Sequence, residues 1–337
     1  MAQKELRLRG AADTDGVARP LRTNGNGEQM KRRRPSWPAP LYFIPWMAAL
    51  ACSAPETDGS EAASPEPSPE YAAEIAGLRE SLTFHASFDE GSDADFALGD
   101  PRIYTAPSWD DWDHAQPGIG NPDVELVPGV GRFGSALNFS QRNTSALFYR
   151  AQEHVAYSED DWSGSISFWL NLTPEEDLAP GYCDPIQITD QAYNDAAVWV
   201  DFTNSNPRQF RLGVFGDLEA WNPEALSSDE HPGFDKKLVV VDEPPFRRGE
   251  WTHVLITYSG LGSASGGTAR LYIDRHLQGV IEGVDEPFTW DLSRAQIRPG
   301  VNFVGLFDEL SLFDRPLTEA EVVALNQLEG GVAALYE

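Results

Sequence analysis

Several side chains in this sequence are of types and spacings that do chemistry. Ser108-Trp109-Asp110-Asp111-Trp112-Asp113 sets two indoles among carboxylates, with no strand pattern to bury them. Trp221 stands similarly in Glu219-Ala220-Trp221-Asn222-Pro223. An indole face packs on the C–H groups of a pyranose ring while neighbouring polar groups fix its orientation, so Trp109, Trp112 and Trp221 are candidate ligand-binding residues. Trp169 and His253, each alternating with apolar neighbours, are candidates of the same kind. The competing role for all five is to fill the core or to cover a sheet. The six histidines (85, 114, 154, 231, 253 and 276) show no metal-ligand spacing, and no serine sits in a nucleophile-elbow context. Asp308 poses a different question. Val304, Leu306, Leu310 and Leu312 share one face of a period-two run, and Asp308 falls on that face. An ionised carboxylate there is costly unless it is paired, for instance with Arg132 or Arg298, or bound to a metal, or unless the strand is locally twisted.

The elements that must carry these residues have a period of two. Leu82, Phe84, Ala86 and Phe88 alternate with polar partners, and similar runs recur at 136–139, 145–149, 165–172, 197–202, 209–215 and 238–241. More follow at 251–258, 269–273, 277–281 and 304–313, separated by Pro-, Gly- and Asp-rich turns. Many short strands without crossover helices predict an all-β fold of antiparallel sheets packed as a sandwich. One helix is expected near the end, where Thr318 and Glu321 form a capping box ahead of Val322, Val323 and Leu325.

Composition narrows the partners. Of 337 residues 41% are hydrophobic, and ten Trp with seventeen Phe need burial, which excludes wholesale disorder. The formal charge of −28 argues against nucleic acid and against electrostatic docking on anionic lipid. With two cysteines, no disulfide framework is expected.

The amino-terminal fifth reads as export machinery rather than fold. Residues 1–29 are expected to be a disordered extension, or the product of a misassigned start codon, ahead of a self-sufficient start at Met30. The basic run Met30–Arg34 precedes an apolar stretch, 38–51, that is too short to span a bilayer. Segment 30–51 is similar to a bacterial lipoprotein signal, with Ala49-Leu50-Ala51-Cys52 in the place of the lipobox, although that pattern prefers Leu where Ala49 stands. The similarity implies lipidation at Cys52, export, and attachment to the membrane through the lipid alone. A Pro-, Ser- and Glu-rich tract follows, and residues 52–78 are expected to be an extended, disordered tether.

Further segments, in order, resemble the laminin-G-like (concanavalin A-like) jelly-roll domains of bacterial surface proteins. They are Phe84–Glu90, Gly131–Phe139, Gly164–Leu170, Glu250–Val254, Ala269–Asp274 and Gly305–Leu317. The resemblance implies a concanavalin A-like jelly-roll β-sandwich of two antiparallel sheets over 79–329, with a short C-terminal helix, and leaves 330–337 as a tail. Residues 90–130 and 173–247 exceed a minimal member and are expected as loops or extra strands. The resemblance also implies a structural Ca²⁺ between the first strand's Phe-Asp-Glu corner and the late-strand acid, with Asp89, Asp308, and Asp93 or Asp95 as ligands. The fold hosts lectins, adhesion modules, glycosidases and lyases. Neither the dense Glu-x-Asp-x-x-Glu pattern of its glycosidases nor the contiguous motifs of its lyases occurs; Asp217-Leu218-Glu219 and Asp308-Glu309 do not reproduce it. The expectation is therefore a non-catalytic, surface-anchored module that binds glycan or another surface partner. A structural or adhesive protein-binding domain is the alternative.

Overall fold

The computed structural model describes residues 68–142, 145–227 and 231–336. The extension, the signal-like segment, Cys52 and the tether as far as residue 67 lie outside them. Helix α1 (Pro69–Ser81) leads into strands β1 (Leu82–Ala86), β2 (Phe96–Ala97), β3 (Ile103–Ala106), β4 (Gln116–Pro117), β5 (Val124–Val127), β6 (Ala136–Phe139) and β7 (Ala146–Arg150). Next come β8 (Trp162–Asn171), α2 (Pro174–Asp177), β9 (Cys183–Thr189), β10 (Ala197–Phe202), β11 (Phe210–Phe215), α3 (Leu218–Trp221) and β12 (Leu238–Val241). The chain closes with β13 (Thr252–Leu261), β14 (Gly267–Ile273), β15 (His276–Val284), β16 (Gln296–Val301), β17 (Gly305–Phe313) and α4 (Glu319–Asn326).

The strands form two antiparallel sheets. In the first, the order is β15-β14-β13-β8-β17-β1-β2, with β6 also on β17 and β5 on β6. In the second it is β12-β11-β10-β9-β16-β7-β3-β4. Alternation decides what lies between them: Ile166, Phe168 and Leu170 of β8 meet Val198, Val200 and Phe202 of β10 in one continuous core. The outer face of the first sheet is covered as well. Leu255, Tyr272 and Phe313 pack there against Leu78 of α1 and Val322 and Leu325 of α4. The predicted capping box of α4 is present.

Three expectations need correction. Residues 69–78 are helical rather than tether. Ser68 caps α1 by accepting the Tyr71 amide at 3.2 Å, Pro69 occupies the first turn, and Tyr71, Ile75 and Leu78 find apolar partners on the C-terminal helix layer. Residues 332–335 are no tail: they form a 3-10 turn with Val332 and Leu335 buried, and Glu309 accepts the Val332 amide at 2.9 Å. The third concerns Asp308. Strand β17 pairs Phe307 with Leu170 and Asp308 with Trp169, then resumes at Ser311 with Ser167. The extra residue is a bulge in which Glu309 takes φ 54°. Beyond the bulge the parity reverses, so Phe307, Leu310 and Leu312 face the core while Asp308 lies on the opposite face.

Candidate functional site

The second sheet carries a cavity of about 420 Å³ on its outer face. Its floor follows from register. On β16, β9 and β10 the residues Arg298, Gln187 and Trp199 lie side by side, and Gly213 of β11 is next in the row. Trp199 lies flat because that neighbour is glycine: a Cβ on Gly213 would come within 2.2 Å of the indole. The ring stacks on Phe215 at 5.8 Å, and its Nε1 donates to the Tyr193 carbonyl at 2.6 Å. Gly213→Ala should therefore force the indole off the sheet, costing about 1–3 kcal/mol. The expected readout is a melting temperature lower by several degrees and a shifted tryptophan emission; an unchanged melt would contradict this packing.

The next row along the strands pairs Asp201 of β10 with Arg211 of β11. Arg211 donates through Nε at 2.8 Å and Nη2 at 2.5 Å to the two carboxylate oxygens, a two-point ion pair with both side chains largely buried. Burial pushes the Asp201 carboxyl up, and the Arg211 fork opposes that shift. Asp184 also lines the cavity; burial, with Asp201 alongside, raises it well above the usual carboxylate range, and Gln187 donates to it at 3.1 Å. Tyr182 and Tyr193 form exposed parts of the wall.

Of the predicted ligand-binding residues, Trp109 lines this cavity and lies 4.6 Å from the Arg298 guanidinium, ring to cation. It belongs to a 3-10 helix, Trp109–His114, whose Trp112 faces Arg294 at 5.7 Å. The other three are elsewhere and buried. Trp221 sits beside the cavity wall in a cluster with Phe215 and Phe234, its Nε1 donating to the Asn194 carbonyl. Trp169 and His253 stack at 4.7 Å on the outer face of the first sheet, with Arg132 over the indole. Burial, aided by Arg132, holds His253 neutral with a pKa of about 3, and its Nε2 pairs with the Ser167 hydroxyl at 2.8 Å. Asp184, Gln187, Trp199, Asp201 and Arg211 were not singled out from the sequence, and Arg298 entered only as a partner for Asp308. The available signal was Trp199 and Asp201 alternating with valines in 197–202.

The acids expected around calcium hold main chain. Asp89 accepts the Ser135 amide at 2.6 Å, Asp93 that of Ile103 at 3.1 Å and Asp95 that of Ser87 at 2.7 Å. Asp308 accepts the amides of Arg132 at 2.6 Å and of Glu309 at 2.9 Å. Thus Arg132 meets Asp308 through its backbone, and Arg298 stands on the other sheet. Burial, with Glu309 alongside, pushes Asp308 up to about 9. Among the described residues no three His, Cys, Asp or Glu side chains are grouped to hold a metal ion.

Comparison with known proteins agrees with this architecture. The chain is similar to the ligand-binding domain of botulinum neurotoxin serotype D, solved with N-acetylneuraminic acid, at 11% identity and a TM-score of 0.50. The match covers 76% of this chain and 53% of the other, so the chain spans about half the length of that domain. It is also similar to domain 4 of AbnA, an extracellular arabinanase from Geobacillus stearothermophilus solved with arabinotriose. There identity is 18%, the TM-score 0.43, and coverage 73% of this chain and 98% of the other. No curated protein sequence matches. The Laminin_G_3 family model matches residues 153–323. With two antiparallel sheets in the expected arrangement and more than half its length matched, the chain belongs to the concanavalin A-like lectin/glucanases superfamily.

Proposed function

We propose that the domain is a non-catalytic glycan-binding module that takes its ligand into the cavity of the second sheet. The observation that carries this is the combination of indole and phenol walls with a floor of fixed polar groups, in a volume suited to one or two sugar rings. Trp109→Ala removes one wall, at the edge of the small cluster it forms with Tyr104 and Phe148. Titration against a glycan panel should then weaken about tenfold or more, a loss of about 1.4 kcal/mol, with the fold retained and the melting temperature only modestly lowered. Binding that survives this substitution would move the site elsewhere.

A hydrolase reading has one specific feature in its favour, since Asp184 and Asp201 line the same cavity. Against it, both Asp201 oxygens are taken by Arg211, which leaves no free carboxylate to act as base or nucleophile beside the acid. No reducing ends should be released from a polysaccharide panel; release abolished by Asp184→Asn would replace the binding reading with a catalytic one.

The same proposal includes export and anchoring through Cys52, supported by the signal-like segment ahead of it. Labelling with a radioactive fatty acid should mark the wild-type chain and spare Cys52→Ala. Calcium enters as a stabiliser only. A cation beside Asp89 and Asp308 would relieve the repulsion that Glu309 exerts on both.

A further inference from the structure

The cavity floor holds a buried guanidinium without a directly paired carboxylate. Arg298 is 6% exposed, and its partners are neutral: Gln296 Oε1 at 2.9 Å, Gln187 Oε1 at 2.8 Å and the Gln191 carbonyl at 3.3 Å. Among the described residues no carboxylate forms an ion pair with it, whereas Arg211 on the same floor has Asp201. A guanidinium has five N–H donors, so two remain beyond these three contacts. Burying a charge without a counter-ion is expensive, and proteins avoid it unless something else supplies the opposite charge. Burial lowers Arg298 to about 10, so it is still cationic at neutral pH. Its plane is fixed by Trp109 on one face and by the two glutamines at its edge. The nearby carboxylates do not meet it directly: Asp201 is matched by Arg211, and Asp190 and Asp184 act on it only through space.

Resting on the glycan-binding reading above, we propose that Arg298 reads a carboxylate, and that the glycan taken by this cavity carries an acidic, carboxylate-bearing sugar. A planar fork in a partly enclosed site matches a carboxylate at two points, and the low local dielectric strengthens that contact. The strongly negative surface of the chain repels long polyanions, which favours short acidic oligosaccharides as ligands.

The test uses the full chain with trigalacturonate and with sialyllactose, each compared with its own methyl ester, and with galactotriose as a neutral control. The wild type should bind at least one acid about tenfold or more tightly than its ester. Which acid is retained separates a uronate from a sialic acid as the source of the carboxylate. Arg298→Gln should reduce that preference to near unity, and Arg298→Lys, which keeps the charge but not the fork, should recover only part of it. Equal affinity for acid and ester, or a preference that persists in Arg298→Gln, overturns the assignment of Arg298 while the glycan-binding reading stands. Retention of galactotriose alone does the same. If none of the saccharides is retained, both fall. Should Arg298→Gln fail to fold, the acid–ester comparison on the wild type decides alone.

Discussion

Asp201→Ala should cost about 3–5 kcal/mol, because it strands the Arg211 cation inside the cavity wall. The Arg211 and Asp201 side chains are 12% and 5% exposed, so water cannot take over the lost partner. The fork also lies near the faces of Tyr182 and Trp199, at 5.2 and 5.6 Å, and its release should loosen both aromatic walls. Urea denaturation measures the first effect and ligand titration the second. Pairing Asp201→Leu with Arg211→Met removes both charges and should recover most of the stability, since a buried ion pair contributes little over an apolar pair of similar volume. Binding should stay lost. A penalty below about 1 kcal/mol for Asp201→Ala would mean that the pair is solvated in solution.

Asp308→Ala comes next, at about 2–5 kcal/mol, because it leaves the buried amide of Glu309 and the partly buried amide of Arg132 without an acceptor. The same residue sets a pH dependence. In the unfolded chain Asp308 ionises in the ordinary carboxylate range; in the folded domain it holds its proton up to about 9. Across that interval the folded state binds a proton that the unfolded state has lost. Its contribution is therefore fully present below the lower limit, declines as pH rises, and levels off above about 9. Asp184 is shifted in the same direction and adds to this slope. Melting temperatures recorded from pH 5 to 9 should fall for the wild type and less steeply for Asp308→Asn. A bound calcium ion would compete with the proton. Under the calcium proposal, chelator should lower the wild-type melt at pH 8 and have no effect on Asp308→Asn. An identical wild-type melt with and without chelator would remove calcium from the account.

What could be read from the residues is what alternation controls. The faces of β8 and β13, including Ser165, Ser167 and Trp169 opposite Ile166, Phe168 and Leu170, follow from period two alone. The capping box likewise marks the start of α4, because Thr318 and Glu321 interact locally. Register is a different matter. Nothing near Gln187 announces that Arg298, more than a hundred residues later, will lie beside it. The cavity floor is assembled from strands distant in sequence, and the second sheet is built largely from the stretch that departs from the family pattern. The bulge at Glu309 defeated the reading of Asp308 because one inserted residue reverses the parity of everything before it. Helix α1 was hidden by the Pro- and Glu-rich tract that runs into it. Its stability comes from Tyr71, Ile75 and Leu78 meeting the C-terminal layer rather than from its own periodicity.

Helices α1 and α4 both lie against the outer face of the first sheet, whereas the cavity opens on the outer face of the second. Pro69, where α1 begins, therefore belongs to the helix layer on the side of the sandwich away from the cavity. A support attached there would leave the mouth of the cavity pointing outward, away from the point of fixation. A ligand could then be reached without rotating or unfolding the domain, much as a cupped palm faces away from the wrist strap that secures it.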